Sequence, residues 1–290
     1  MTKEQAIMQL VDQPALDAVA EPLSKAVRGA YQAGGPAGQQ LKNAMHGVPL
    51  GHPLHPVFTD IPIGAWTTAL VIDAVAASSG DEGMSRAADV ALVVGLVGAA
   101  GAAVTGLTDW SETSGRSRRA GLVHGLLNVA ATSLFATAYL LRRRRARASG
   151  TSCAIAGYMI AAGSAWLGGD LVYGQRVGVT HAALEEPEDF VKLCASSDLE
   201  DGAMKRVKRH DGDILVARRH GKACALAHSC SHLGGPLSEG ELKSDSVVCP
   251  WHGSEFALED GAVMNGPATQ DQPCLDVRES DGKIEGKLRQ

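Results

Sequence analysis

Apolar residues are concentrated in four long stretches in the first two thirds of the chain. The stretches cover residues 61–77, 90–107, 120–141 and 150–169, and together they contain a single formal charge, Asp73. A helix needs about 20 mostly apolar residues to cross the hydrocarbon core of a bilayer. Four such stretches, separated by short charged loops, predict an all-α bundle of four transmembrane helices surrounded by the lipid bilayer.

Small residues recur in the second stretch, where Gly95, Gly98 and Gly101 lie three positions apart. Small side chains let helix backbones approach closely in lipid, so we expect this stretch to pack tightly against a neighbouring helix. Residues 1–50 are polar and lack the apolar core of a signal peptide. They predict a polar, partly helical arm ahead of the first span.

The pattern changes after residue 173. From 182 to 290 the chain carries 13 Lys and Arg against 20 Asp and Glu, a net charge of −7. Short β-like runs occur at 205–209, 214–218, 223–228, 246–248, 255–258, 275–278 and 283–287, and Asp-Gly pairs separate several of them. Short strands with regular turn signals predict a small all-β sandwich or barrel. The predicted domains are an arm (1–50), a four-span domain (51–176) and a β domain (184–290).

The overall composition narrows the possible functions. The 290 residues are 45% hydrophobic and 20% charged, with a net charge of −5. This composition excludes a disordered or disulfide-dense chain. It also argues against nucleic acid as a partner, because there is no basic excess to pair with phosphates.

Two short motifs in the β domain carry metal-ligand chemistry. Cys230-x-His232 is followed, after 16 intervening residues, by Cys249-x-x-His252, and glycine and proline flank both motifs. Two thiolates and two imidazoles at this spacing suit either a tetrahedral zinc ion or a [2Fe–2S] cluster. The flanking residues predict two tight loops that hold the ligands from opposite sides.

The two loops resemble those of the Rieske family. The residues that carry the resemblance are Cys230-Ser231-His232-Leu233-Gly234-Gly235-Pro236 and Cys249-Pro250-Trp251-His252-Gly253-Ser254, and the similarity extends over about 100 residues. It implies one [2Fe–2S] cluster, with Cys230 and Cys249 on one iron and His232 and His252 on the other, solvent-facing iron. Histidine ligands in place of thiolates raise the reduction potential relative to an all-cysteine site.

The sequence departs from the Rieske proteins of quinol-oxidising complexes at the disulfide that braces the loops in those proteins. Gly235 and Trp251 stand in its place. Ser254 is retained as a hydrogen-bond donor to cluster sulfur, but Phe256 replaces the tyrosine donor. Fewer donors stabilise the reduced cluster less, so we expect a ferredoxin-like centre of low to intermediate potential. The remaining cysteines are expected to be free thiols; they are Cys153, Cys194, Cys224 and Cys274.

The membrane half resembles a bacterial family of four-helix membrane domains without an established function. Gly51-His52-Pro53-Leu54-His55-Pro56 carries the resemblance, which covers about residues 46–175. Placing polar side chains inside a membrane span costs free energy, so such residues are expected to have a structural or functional role. One interpretation is that His124, Asn128 and Thr132, on one face of the third helix, form hydrogen bonds across the bundle with Asp73 as a partner. The other is a haem or quinone site that uses His124 with His52 or His55.

Together these features predict an electron-transfer protein of the bacterial inner membrane that passes single electrons between a donor and an acceptor. No substrate-converting site is identified. The alternatives are a redox sensor and a quinone-active oxidoreductase with its site in the bundle. The acidic β domain predicts a redox partner with a basic face. Positively charged residues favour the cytoplasmic side of a membrane, but arginines lie near both ends of the bundle. They do not decide which side of the membrane carries the β domain.

Overall fold

The computed structural model describes residues 9, 11–182, 184 and 187–289. The chain forms two compact units. The first consists of Met1–Gly38 with Leu54–Val177, and the second of Gln39–Pro53 with Gly178–Gln290. The first unit is helical and the second contains all the β strands of the described residues. The predicted fold class, a helix bundle followed by a small antiparallel β domain, is confirmed.

Four helices are long and apolar enough to cross a membrane: α3 (Leu54–Ser79), α4 (Glu82–Ser111), α5 (Gly115–Arg143) and α6 (Arg147–Gly169). Each contains one of the four predicted apolar stretches. A π-helical turn, Asp170–Gly174, extends α6. Ahead of them lie α1 (Asp17–Ala33) and α2 (Gly35–His46), with 3₁₀ turns at Pro14–Leu16 and Val48–Leu50. The polar arm is therefore helical over most of its described length.

The glycines of α4 admit the side chains of α3. A Cβ atom at Gly95 would lie 2.1 Å from Trp66 Nε1, and one at Gly98 would lie 2.5 Å from Ile61 Cγ2. Trp66 is fixed in this groove because its Nε1 donates to the Leu92 carbonyl at 3.3 Å. The close packing expected of the glycine-rich stretch is therefore confirmed.

Helix α1 packs on the α4–α5 end of the first unit through charge pairs. Arg118 Nη2 donates to Glu21 Oε1 at 2.8 Å, and Arg119 Nη1 donates to Asp17 Oδ2 at 3.0 Å. The Tyr31 hydroxyl lies 2.7 Å from Thr108 Oγ1. These acidic residues of the arm balance the arginines at the start of α5.

Four charged side chains form a network within the first unit. Arg147 Nη2 donates to Asp73 Oδ1 at 2.8 Å, and its Nη1 donates to Asp89 Oδ1 at 3.2 Å. Arg142 also pairs with both carboxylates, and the side chains of Arg142 and Asp73 are buried. Asp73 therefore pairs with Arg142, at the end of the third span, and with Arg147. The interpretation that it pairs with the face formed by His124, Asn128 and Thr132 is wrong. The two guanidinium groups give this carboxylate stronger, charge-assisted hydrogen bonds than neutral side chains could.

The second unit contains two antiparallel sheets. The strands are β1 (Val191–Ala195), β2 (Met204–Val207), β3 (Ile214–Arg219), β4 (Lys222–Ala227), β5 (Glu241–Leu242), β6 (Ser246–Val248), β7 (Glu255–Ala257), β8 (Val263–Asn265), β9 (Cys274–Ser280) and β10 (Lys283–Leu288). The larger sheet has the strand order β1-β10-β9-β4-β3-β2, and the smaller has the order β5-β6-β7-β8. One apolar cluster, with Leu215, Leu226 and Phe256 in it, packs behind the loops that carry the Cys-His motifs.

We expect Asp73→Asn to destabilise the bundle. The substitution leaves Arg142 buried with only Asp89 as a counter-charge, and removing one partner of a buried pair is costly, here about 2 kcal/mol or more. Thermal loss of the helical circular dichroism signal of the detergent-purified protein should then occur at a lower temperature. The control is Glu82→Gln, at an exposed pair 3.7 Å from Arg86, which should have little effect. Equal stability of Asp73→Asn and the unsubstituted protein would contradict the importance of this network.

Candidate metal centre

The two Cys-His motifs occupy loops of the same local shape. The first follows β4, and the second connects β6 to β7. In each loop a glycine four residues after the cysteine donates its N–H to the cysteine carbonyl: Gly234 to Cys230 at 2.8 Å and Gly253 to Cys249 at 3.1 Å. Both glycines have positive φ, +77° and +76°, a conformation that glycine adopts without a steric penalty. The flanking glycines of the sequence therefore shape both loops.

The two cysteine thiols face each other. The hydrogen bond between the two thiols lowers the pKa of Cys249 and raises that of Cys230. Backbone N–H groups lower the pKa of each thiol; those of His232 and Leu233 act on Cys230, and those of Trp251 and His252 act on Cys249. Such donors stabilise negative charge on sulfur, so they favour the thiolate form of both cysteines.

The two histidines of the motifs also lie together. The ring centroids of His232 and His252 are 5.1 Å apart, with the rings at 87°. His232 Nδ1 is buried and has no hydrogen-bond partner, although leaving a buried polar atom unsatisfied costs about 1–3 kcal/mol. Burial, followed by the charge of His252, holds the pKa of His232 well below its usual range. A neutral imidazole with an unused buried nitrogen suits a metal ligand.

The four side chains fall into a thiol pair and an imidazole pair. Among the described residues, no three His, Cys, Asp or Glu side chains surround one point as ligands of a single ion would. A [2Fe–2S] centre with mixed ligands does not need such a triple, because each iron takes only two protein ligands. The donor set and the orphaned nitrogen of His232 therefore fit this group.

Close packing, rather than a disulfide, holds the two loops against each other. A Cβ atom on Gly235 would lie 2.7 Å from Cys249 Sγ and 3.1 Å from Trp251 Cγ. Only a hydrogen atom fits between the first loop and these two groups of the second. Gly235 and Trp251, which occupy the predicted positions of the missing disulfide, are thus the residues through which the loops touch.

Comparison with known proteins identifies this centre. Residues 189–276 match the Rieske [2Fe-2S] domain model. Ferredoxin CarAc of Metapseudomonas resinovorans is 32% identical over 96 residues, a match that covers 33% of this chain and 90% of the ferredoxin. The chain belongs to the Rieske [2Fe–2S] family. Its cofactor is therefore a [2Fe–2S] cluster, as the motifs predicted.

Other Rieske relatives match the same third of the chain. The ferredoxin component of biphenyl 2,3-dioxygenase from Rhodococcus jostii (strain RHA1) is 36% identical, with 86% of its length covered. Apoptosis-inducing factor 3 of Homo sapiens is 39% identical, but this chain spans only 16% of that protein. A solved complex of reduced oxygenase and oxidized ferredoxin in carbazole 1,9a-dioxygenase contains a chain that is 29% identical; the match covers 35% of this chain and 94% of that one, with a TM-score of 0.33.

The helical half matches a second family. Residues 51–181 match the model described as predicted membrane protein (DUF2231). Together with the four span-capable helices, this match shows that the Rieske domain is part of a membrane protein. The predicted resemblance of the helical half to a membrane family is confirmed.

Of the serine and tyrosine that donate hydrogen bonds at the cluster of quinol-oxidising Rieske proteins, this domain retains only the serine, Ser254. Ser254 is fully buried, and its Oγ accepts the Ala268 N–H at 3.0 Å, so its hydroxyl proton can be donated to a further acceptor. Phe256 is fully buried in the apolar cluster with Val247 and Leu237. A phenyl ring at this position donates no hydrogen bond. Donation from Ser254 to cluster sulfur stays a prediction.

Gln272 supports the first Rieske loop, a role that was not predicted from the sequence. Its Oε1 accepts the Ser231 N–H at 2.9 Å, while its Nε2 donates to the carbonyls of Ala227 at 2.7 Å and Ser229 at 2.6 Å. The side chain is 1% exposed. One amide thus ties the end of β4 to the loop. A glutamine in the polar run before β9 gives no signal of this role in the sequence.

Polar residues of the membrane half form hydrogen bonds within the bundle. His124 Nδ1 lies 2.9 Å from the Ser164 carbonyl, and its Nε2 lies 3.0 Å from Asn128 Nδ2. His55 Nδ1 lies 2.9 Å from the Ala102 carbonyl. Asp73 pairs with arginines, and His52 belongs to the other unit. Since both ring nitrogens of His124 are engaged, the structure favours hydrogen bonding within the bundle over a haem or quinone site.

We expect Gln272→Leu to loosen the first Rieske loop. It leaves one N–H and two carbonyls buried without their partner, which costs about 3 kcal/mol in total. The visible absorbance of the cluster should therefore bleach faster on heating. The control is Gln270→Ala, because Ser231 contacts only the backbone carbonyl of Gln270, at 2.8 Å. Equal bleaching rates for Gln272→Leu and the unsubstituted protein would show that Gln272 has no such role.

Proposed function

We propose that this chain is a membrane-anchored Rieske ferredoxin that passes single electrons from a donor to an acceptor. Its cluster is held by Cys230 and Cys249 on one iron and by His232 and His252 on the other. The observation that carries the proposal is the pairing of the two thiols and the two imidazoles at the touching loops. The ferredoxin relatives support it, since 86–90% of their length is matched by this part of the chain.

The side chains and backbone around the loops suit reversible one-electron chemistry. When bound, the [2Fe–2S] group accepts or donates one electron. The backbone N–H groups of both loops that lower the pKa of the two thiols would stabilise negative charge on the sulfur ligands. The imidazoles are the ligands of the solvent-facing iron in this assignment, and we take them as the side chains through which an electron leaves.

The membrane half serves as the anchor in this proposal. Its buried charges are paired within the first unit, and its polar stripe is satisfied internally. We place the protein in a bacterial inner membrane, in line with the bacterial ferredoxin relatives. A quinone-active enzyme would be supported by reduction of the cluster with quinols, and a redox sensor by cluster reduction without sustained electron flux.

The partner we propose is a redox protein with a basic face. From residue 182 onward the chain has a net charge of −7, and complementary charge steers the encounter of two proteins. The Rhodococcus relative is the ferredoxin component of a biphenyl 2,3-dioxygenase. By analogy with that relative, we take an oxygenase or its reductase as the class of partner.

Serine substitutions test the ligand assignment. We expect Cys230→Ser and Cys249→Ser to lose iron, acid-labile sulfide and visible absorbance, because a hydroxyl is a poor replacement for a thiolate ligand. Cys274→Ser is the matched control, since Cys274 is a buried thiol of the same domain. Full retention of iron by Cys249→Ser, or equal loss in Cys274→Ser, would contradict the assignment.

Electron transfer itself can be followed with the full-length protein in detergent. We expect the protein, after reduction with dithionite and removal of the excess, to transfer one electron to cytochrome c, a basic acceptor, and to do so again after each new reduction. The excess is removed because dithionite itself reduces cytochrome c. The rate constant should fall as salt is raised, because screening weakens the steering by opposite charges. A single turnover that is not sustained would favour the sensor. A rate that rises with salt would contradict the basic partner.

A further inference from the structure

A segment from ahead of the membrane helices belongs to the Rieske unit. We define residues 39–53 as the cap. Asn43 fixes the cap to the turn after β8: its Nδ2 donates to Asn265 Oδ1 at 3.1 Å, and its Oδ1 accepts the Gly266 N–H at 3.1 Å. Val48 packs on the same turn, since a Cβ on Gly266 would lie 2.9 Å from Val48 Cγ2.

The cap contains a buried histidine. His46, near the middle of the cap, is 2% exposed, and the charges of His46 and Lys42 contribute, after burial and His252, to the lowered pKa of His232. His181 packs against the first Rieske loop: its N–H donates to the Ser231 carbonyl at 3.0 Å, and its ring lies 3.7 Å from the Cβ position of Gly234. Neither His181 nor the cap lies within the matched Rieske region, which begins at residue 189.

The two loops differ in exposure. No residue from 231 to 235 in the first loop is exposed, whereas Pro250, Trp251 and Gly253 in the second are exposed. The Trp251 side chain is 57% exposed and contacts the edge of the His252 ring, with the centroids 6.4 Å apart. A large aromatic side chain in water beside a candidate ligand is typical of a binding surface.

We infer that the cap closes the His232 side of the centre, so that the Trp251–His252 face is the port where a redox protein docks. This inference rests on the proposed function and specifies the surface that it uses. One electron passes from the reduced protein to the acceptor: the protein is oxidised by one electron and the acceptor is reduced by one electron. No covalent bond forms or breaks. The partner presents an apolar patch that covers Trp251, surrounded by basic residues that complement the acidic domain.

Stopped-flow oxidation of the full-length, cluster-loaded protein tests whether the Trp251–His252 face is the docking surface. Cytochrome c serves as the protein acceptor and ferricyanide as the small-molecule acceptor. Electron paramagnetic resonance and iron content first establish that each variant is loaded. Trp251→Ala should lower the rate constant with cytochrome c about tenfold, as expected for loss of a central aromatic contact. Trp251→Phe should retain most of the rate. Met264→Ala, at another exposed apolar side chain, should leave it unchanged.

Asn43→Ala tests the cap. It removes the bonds to Asn265 and Gly266, so hydrogen–deuterium exchange of residues 230–235 should become faster and the ferricyanide rate should rise. An unchanged cytochrome c rate in Trp251→Ala, or unchanged exchange and ferricyanide rate in Asn43→Ala, would overturn the inference while leaving the electron-carrier function intact. Absence of a cluster in the unsubstituted protein would instead overturn the proposed function.

Discussion

The close approach of two loops is the constraint on which the Rieske centre depends. In the ligand assignment we propose, each iron takes one residue from each loop, so the loops have to meet without any intervening side chain. Gly235 meets this need, because even a methyl group there would overlap Cys249 Sγ. The rest of the domain can be understood as support for this contact. Gln272 holds the first loop to β4, and the apolar cluster behind the loops fixes where the two sheets place them.

The membrane half is subject to a different constraint, which comes from the surrounding lipid. Lipid offers no hydrogen bonds, so each polar group within the spans needs a partner from the protein. Asp73 finds two arginines, and His124 finds Ser164 and Asn128. Groups that are fully engaged with each other are poorly placed to bind a cofactor. In the function we propose, the two halves divide the roles, with electron transfer in the Rieske domain and anchoring in the bundle.

The features that the sequence predicted are those encoded locally. The ligand motifs and their glycines are contiguous, most of the strands agree with the predicted runs to within one or two residues, and the spans follow from composition. The missed features depend on contacts between distant residues. Arg142 and Arg147 lie where a charged loop was expected, yet they neutralise a carboxylate about 70 positions away. Likewise, nothing around Asn43 indicates that it binds a turn more than 220 residues later.

A redox titration of the detergent-purified, full-length protein, followed by low-temperature electron paramagnetic resonance, tests whether this membrane protein carries a ferredoxin-like Rieske cluster. We predict the rhombic signal of a [2Fe–2S] cluster with two histidine ligands, appearing on reduction at a low to intermediate potential, because Phe256 replaces one hydrogen-bond donor. Absence of that signal, or a potential as high as that of the quinol-oxidising Rieske proteins, would contradict the account.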